Sequence, residues 1–229
     1  MESSQKKLEK KPNSSKKGMT IVEVCQKIKE MIYQNKLAPG QRLICADIAR
    51  QLSVSNTPII QAFKMLETSN LVEYKQNRGY QIAEITEDEA RQLYKAREAL
   101  ETHIIHDVIK NIDDKIIEDI TKALKRYRDA DQRMGFFVDA QFHLKVAEYA
   151  YNNVIYRILK DIFEQIYLKY RVEYFSDIHR KEAIKEHRRI LEALRDRDEE
   201  KAVAMIKQHL SSGVERILRN LKAYEIPMF

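Results

Sequence analysis

Helix breakers are scarce in this chain, and no other feature narrows its fold so far. Five glycines and four prolines are spread over 229 residues, and two of those prolines, Pro39 and Pro58, fall in one short stretch near the N-terminus. A chain with so few residues that interrupt a helix is expected to be mainly α. Hydrophobic residues make up 44% of it, enough to bury a real core, yet no apolar run is long enough to span a bilayer. The first residues are polar and lysine-rich, unlike a secretory signal, so the expected location is cytoplasmic. Cys25 and Cys45 make no disulfide framework and read as reduced thiols.

Charge is placed unevenly. Residues 1–19 carry six lysines against two glutamates, and residues 20–84 carry eight Lys/Arg against six Asp/Glu. The remainder balances at 27 of each sign, so the whole net charge of +6 sits in the N-terminal third. A basic end on a neutral body suits a nucleic-acid-facing segment. A solvated, soluble tail would give the same composition for residues 1–19 taken alone.

Residues 1–19 lack apolar periodicity and read as a disordered basic arm. From Ile21 onward, Val24, Ile28 and Met31/Ile32 recur at helical spacing, and Leu37-Ala38-Pro39-Gly40 is a turn. Ala46–Leu52 reads as a short second helix. After the tight turn Ser53-Val54-Ser55, a third helix begins with Ser55 as cap and Pro58 in its first turn. It runs to about Ser69. Leu71–Tyr74 and Tyr80–Ala83 flank a polar turn through Gly79 and read as a β-hairpin. Helix, helix, turn, helix, hairpin is the order of a winged helix-turn-helix. In that arrangement the third helix offers its first residues to base edges and the hairpin reaches the backbone or minor groove. This unit spans residues 20–84.

Residues 85–223 read as an all-α antiparallel bundle of about six helices, over 86–111, 113–133, 135–150, 152–175, 180–196 and 198–223, followed by a tail at 224–229. Thr86 is a cap with acidic residues in the first turn. Asp113, Asn152 or Asn153, and Asp198 mark other starts, and the short connections imply antiparallel neighbours. Asp139 and His143 are four apart and share a helix face. His187 and His209 lie ten or eleven residues either side of the turn near Arg197-Asp198, each roughly 15 Å from it at helical rise, and therefore at one height. Three imidazoles and a carboxylate suit a divalent ion such as Zn²⁺ or Ni²⁺ and leave positions open for water or a ligand oxygen. Spacing alone equally allows four satisfied side chains. His103, His106 and His179 read as ordinary surface or core histidines.

The chain resembles the GntR family of regulators, FadR-like subfamily, with the FCD type of ligand-binding domain. The likeness runs from about residue 20 to 220. In the first unit it rests on Leu37–Leu43, Ile48–Ser55, Thr57-Pro58 and Leu66-Glu67 through Asn77-Arg78-Gly79. In the second it rests on Arg97–Glu101, Asp139–His143, Asn152, Glu186-His187, Ile190-Leu191, Ala193-Leu194, Asp198, Ala202 and His209-Leu210. The resemblance implies a homodimer that binds a short palindromic operator in double-stranded DNA and responds to a small organic acid. It also implies that Asp139, His143, His187 and His209 ligate the metal, and that Arg97 and Asn152 face the effector; the alternative for Arg97 is that it only pairs with a buried glutamate such as Glu101.

The third helix departs from the family. Where members carry Ser-Arg-Thr-Pro-Val-Arg-Glu-Ala-Leu, this chain has Ser55-Asn56-Thr57-Pro58-Ile59-Ile60-Gln61-Ala62-Phe63, and Ala46 replaces a basic residue of the second helix. Arginine supplies bidentate contacts to guanine, so the base preference does not carry over. Ser55, Asn56, Thr57, Gln61, Lys64, Arg78 and Gly79 are the candidate DNA contacts. Two other functions compete: a degenerate regulator that binds ligand but reads DNA poorly, and a metal-dependent enzyme on the helical bundle. No nucleophile or general-base motif accompanies the histidines, so the expectation is a protein that is not an enzyme.

Overall fold

In a computed structural model, residues 19–129, 135–171 and 177–224 are described. The expected arm and tail lie outside these residues, apart from Met19 and Tyr224, as do the far ends of two expected helices at 130–133 and 172–175. The described chain is mainly helical. In order it forms α1 (Ile21–Tyr33), α2 (Cys45–Leu52), α3 (Asn56–Thr68), β1 (Val72–Lys75), β2 (Gly79–Ile82), α4 (Glu87–His103), α5 (Ile105–Asn111), α6 (Asp114–Asp129), α7 (Gly135–Glu148), α8 (Asn153–Lys169), α9 (Asp177–Arg195) and α10 (Glu199–Tyr224).

Local chemistry sets the boundaries. Thr20 and Glu23 form a capping box at α1, each side chain taking the other's backbone N–H. The Thr86 hydroxyl accepts from the Glu89 N–H, the Asp113 carboxylate from the Ile116 N–H, and the Asp198 carboxylate from the Lys201 N–H. The hairpin pairs antiparallel in the register Val72↔Ile82 and Tyr74↔Tyr80. Its turn needs a left-handed residue, and Gly79 supplies one at φ +77°. Residues Gly40–Leu43 lie along β2, with Gly40 N–H donating to Ile82 O and Leu43 N–H to Tyr80 O.

Two departures from the sequence reading are clear. The helix expected over 86–111 is broken at Ile104 into α4 and α5, although neither glycine nor proline is present. Ile104 is the C-cap of α4, with φ −78°, ψ −10° and its N–H on Leu100 O, and both Ile104 and Ile105 are buried in the bundle core at the break. The helix expected to run to 175 ends at Lys169, where Tyr170 turns extended and the Lys169 carbonyl accepts from the Ile85 N–H.

Apolar side chains gather into two clusters. One is built on Val24, Ile28, Ile59, Phe63, Leu66 and Ile82 from α1, α3 and the hairpin. The other unites α4–α10 around Ile105, Phe142, Leu159, Ile166, Ala193, Leu194 and Leu210. Within it α10 packs along α9 and α4, α6 along α7 and α9, and α8 along α7 and α4. Leu168 of α8 crosses over and is fully buried in the first cluster. Lys29 of α1 pairs with Glu164 of α8 at 2.5 Å, Arg171 with Glu84 at 2.7 Å, and buried Lys169 with Glu89. Among the described residues no helix is long and apolar enough to cross a membrane.

Truncating Leu168 removes most of a buried side chain at this junction. Leu168→Ala is expected to destabilise the chain by about 2–5 kcal/mol, read by denaturant unfolding. An effect under about 0.5 kcal/mol would show that the two clusters do not share this contact in solution.

Candidate functional site

Three helices bring the sequence-predicted histidines and aspartate to one point. Asp139 and His143 share a face of α7, His187 comes from α9 and His209 from α10, and one ligand atom from each lies within 4.8 Å of the others. The three Nε2 atoms form a near-equilateral triangle: His143 to His187 is 3.0 Å, His143 to His209 is 3.1 Å and His187 to His209 is 3.2 Å. Asp139 Oδ1 stands 3.5 Å from His187 Nε2. All three imidazoles are buried, and Asp139 is half-buried.

The protons on two of the rings follow from their other neighbours. His143 Nδ1 lies 2.7 Å from Glu101 Oε2, and His209 Nδ1 lies 2.8 Å from Glu186 Oε2. Burial raises the Glu101 carboxyl, but Arg97 and then His143 outweigh it and bring it to about 2. Burial likewise raises Glu186, and hydrogen bonds from His209 and Arg216 bring it to about 2. Both carboxylates are therefore ionised and only accept, so Nδ1 carries the proton in each ring. Burial, followed by the neighbouring imidazoles, holds His187 well below the usual histidine range, and burial lowers His209. A neutral imidazole protonated at Nδ1 presents a bare lone pair at Nε2. Nitrogen lone pairs and an aspartate oxygen aimed at one point repel one another unless a cation lies among them.

The donor set fits a metal. Two ligands about 2.0–2.1 Å from one ion lie roughly 2.8–3.4 Å apart at angles between octahedral and tetrahedral, and all three nitrogen separations fall in that range. The carboxylate behind each of two imidazoles is the arrangement that fixes ring orientation and raises basicity at metal sites. Phe142 stacks on His187 with centroids 4.3 Å apart, and the Tyr167 hydroxyl donates to Asp139 Oδ2. Ring and aspartate orientation are thus held by packing as well as by hydrogen bonds.

Arg97 of α4 is 1% exposed. Its Nε donates to Glu101 Oε1 at 2.8 Å, and its guanidinium lies over the rings of Phe163 at 4.3 Å and Tyr94 at 4.8 Å. Arg97 therefore reaches the histidines through Glu101. Its Nη2 is buried without a hydrogen-bond partner among the described residues. Asn152, expected to face a ligand, caps α8: its side-chain oxygen accepts from the Val154 and Ile155 N–H groups. A carboxamide oxygen committed to two backbone donors is satisfied where it stands.

Glu101, Glu186, Tyr167 and Arg216 complete the cluster and escaped the sequence search for ligands. Arg216 forks onto Glu186 at 3.1–3.2 Å. A partial signal existed, since Glu101 follows Arg97 at i+4 and Glu186 adjoins His187. His106, read as an ordinary histidine, pairs with Glu199 on the exterior.

The candidate nucleic-acid residues lie on α3 and at the hairpin turn of the N-terminal unit. Ile59, Ala62, Phe63 and Leu66 bury one face of α3, which leaves Asn56, Thr57, Gln61 and Lys64 exposed. Ser55 occupies the N-cap position without a side-chain cap bond, and Asn56 is the first helical residue, so Asn56 is not the cap. Arg78 is exposed beside Gly79 at the hairpin turn. Tyr80 contacts Phe63 of α3 and Tyr74 of β1, each with centroids 5.2 Å apart, and so holds the wing against the helix.

Residues 20–82 match the family model described as bacterial regulatory proteins, gntR family, and residues 92–212 match the FCD domain. The chain is 26% identical to the uncharacterized HTH-type transcriptional regulator YdhC of Bacillus subtilis, over 83% of this chain and 87% of that one. It is 24% identical to the gluconate operon transcriptional repressor of the same organism, over 88% and 86%. Among solved structures, Escherichia coli McbR/YncC superposes with a TM-score of 0.75 at 18% identity, over 88% of this chain and 98% of that one.

Removing the charge behind an imidazole should loosen the site while leaving its nitrogens in place. Glu186→Gln is expected to weaken binding of a divalent cation about 10–100-fold, and Glu101→Gln similarly, read by competition with a chelating dye. Affinities within twofold of the unmodified chain would contradict the role given to these carboxylates.

Proposed function

This chain belongs to the gntR family of bacterial regulatory proteins and carries an FCD domain; on that premise we propose how its two parts divide the work of a ligand-responsive, DNA-binding transcription regulator. Residues 20–84 form the DNA-reading domain, with 1–19 as a basic arm. Residues 85–223 form the effector and dimerisation domain, followed by a tail at 224–229. The observation that carries this reading is α8. One face of it supplies Phe163 and Tyr167 beside Arg97 and Asp139, while Leu168 is buried in the core that supports α3.

Asp139, His143, His187 and His209 hold one divalent ion, for which nitrogen-rich donors favour Zn²⁺ or Ni²⁺. When bound, that ion offers Lewis-acid positions to an anionic oxygen. The effector is a small carboxylate. Arg97 supports this reading with a buried, unpartnered Nη2 in a guanidinium already oriented by Glu101 and two aromatic rings, which suits it to fork onto a carboxylate. The relative named for the gluconate operon accords with an organic acid.

The working form is a homodimer on a palindromic operator, since two recognition helices related by a two-fold axis match two half-sites one helical turn apart. Asn56 and Gln61 are the base readers, by bidentate pairing with adenine, and the Thr57 methyl can meet thymine. Lys64 and Arg78 hold phosphates, with Ser55 and the backbone at Gly79 beside them.

Selection from random duplex DNA tests this directly. We expect an A·T-rich, two-fold symmetric consensus whose A·T preference relaxes in Asn56→Ala and Gln61→Ala, with affinity falling steeply with salt. A G·C-centred consensus unaffected by both changes would overturn the assignment of base readers, and recovery of no specific sequence would favour a degenerate regulator. In the same binding assay, an organic acid that shifts affinity for the duplex should lose most of its effect in Arg97→Lys, which keeps the charge and loses the fork. Equal responses would remove Arg97 from the effector site.

A further inference from the structure

We propose that Ile60 is a specificity-determining residue that reads the C5-methyl group of thymine in the major groove. The inference rests on the DNA-binding reading of α3. Ile60 is 43% exposed, on a helix whose Ile59, Ala62, Phe63 and Leu66 are all buried. Single exposed apolar residues are common, so exposure alone means little; the position gives it meaning. At 100° per residue, Ile60 falls beside the line of Thr57, Gln61 and Lys64 that points away from the core. It sits one turn beyond Asn56 and one turn before Lys64, between a candidate base reader and a candidate phosphate contact. A second isoleucine, Ile44, is 52% exposed next to Cys45, whose Sγ lies 3.5 Å from the Asn56 carbonyl. The start of α3 is therefore an apolar corner within a surface that also exposes Arg50, Lys64, Lys75 and Arg78. Cations around an apolar centre suit the charged backbone and the base edges of a duplex.

The chemistry of the groove names the occupant. Among the four bases only thymine presents a methyl group there, while cytosine presents an amino donor and guanine two acceptors. An isoleucine against either of the latter would desolvate polar groups without replacing their hydrogen bonds, which selects against them. Ile60 is also well suited to rigid presentation. A β-branched side chain in a helix is held almost entirely in one χ1 rotamer, so little side-chain freedom is lost on contact, whereas a long flexible side chain at this position would lose more.

The test removes the methyl and nothing else. Take the duplex that the full-length chain selects from random DNA, replace each thymine in turn by deoxyuridine, and measure binding by the unmodified chain and by Ile60→Ala, an exposed substitution that leaves the core intact. The unmodified chain should lose about three- to fivefold in affinity at one thymine of each half-site, the weight of one buried methyl. Ile60→Ala should bind the thymine and deoxyuridine duplexes equally at that position while still responding to Asn56→Ala. Tight binding with no thymine sensitive to demethylation, or a sensitivity that survives in Ile60→Ala, would overturn the proposal and leave the DNA-binding reading standing. Failure to select any duplex would overturn both.

Discussion

Everything in the helical part of this molecule is arranged around a repulsion. Three imidazole nitrogens stand 3.0–3.2 Å apart inside an apolar bundle, with an aspartate oxygen beside them. Two of the rings have their protons drawn to the far side by ionised glutamates. Three separate helices, α7, α9 and α10, must converge to create this point, and α4 supplies the Glu101 that orients His143. Buried polar groups are costly unless satisfied, and here Glu101, Glu186 and Tyr167 engage the outer sides of His143, His209 and Asp139, leaving the lone pairs that face inward. A cation at that point would complete the set.

The same network lies next to the other half of the chain. Phe163, under the Arg97 guanidinium, is followed on α8 by Glu164, which pairs with Lys29 of α1. Tyr167, bonded to Asp139, is followed by Leu168, buried against the winged-helix core. Adjacent residues of one helix thus belong to the histidine cluster's surroundings and to the winged-helix unit. Side chains that touch Asp139 and Arg97 therefore stand one residue from side chains that touch the winged-helix unit, so α8 physically joins the two.

What the sequence revealed is what helical geometry makes local. Asp139 and His143 share a face because they are four apart. His187 and His209 meet because a single turn at Arg197-Asp198 sets their heights equal. The caps at Thr86, Asp113 and Asp198 were legible because a short oxygen-bearing side chain before a periodic run has one good use. The supporting carboxylates were legible only in part: Glu101, four residues after Arg97, could be read as its buried partner, and the two do pair, but its bond to His143 and the role of Glu186 emerge only when α4 and α9 pack on α10. The helix-starting role of Asn152 was visible for the same reason as the other caps, and its side-chain oxygen does cap α8; a ligand role for it comes only from the resemblance. The break at Ile104 had no glycine or proline to announce it, and the crossing of Leu168 into the other core is a tertiary fact with no local signature.

Metal content decides whether the inward-facing lone pairs have the partner they require. Full-length protein, equilibrated with Zn²⁺ or Ni²⁺, dialysed and measured by elemental analysis, should retain about one ion per chain, as a single four-ligand site demands, and the His187→Ala/His209→Ala double variant should retain none. A folded wild-type chain that binds neither ion, or a double variant that keeps its full complement, would contradict the assignment of this cluster as a metal centre.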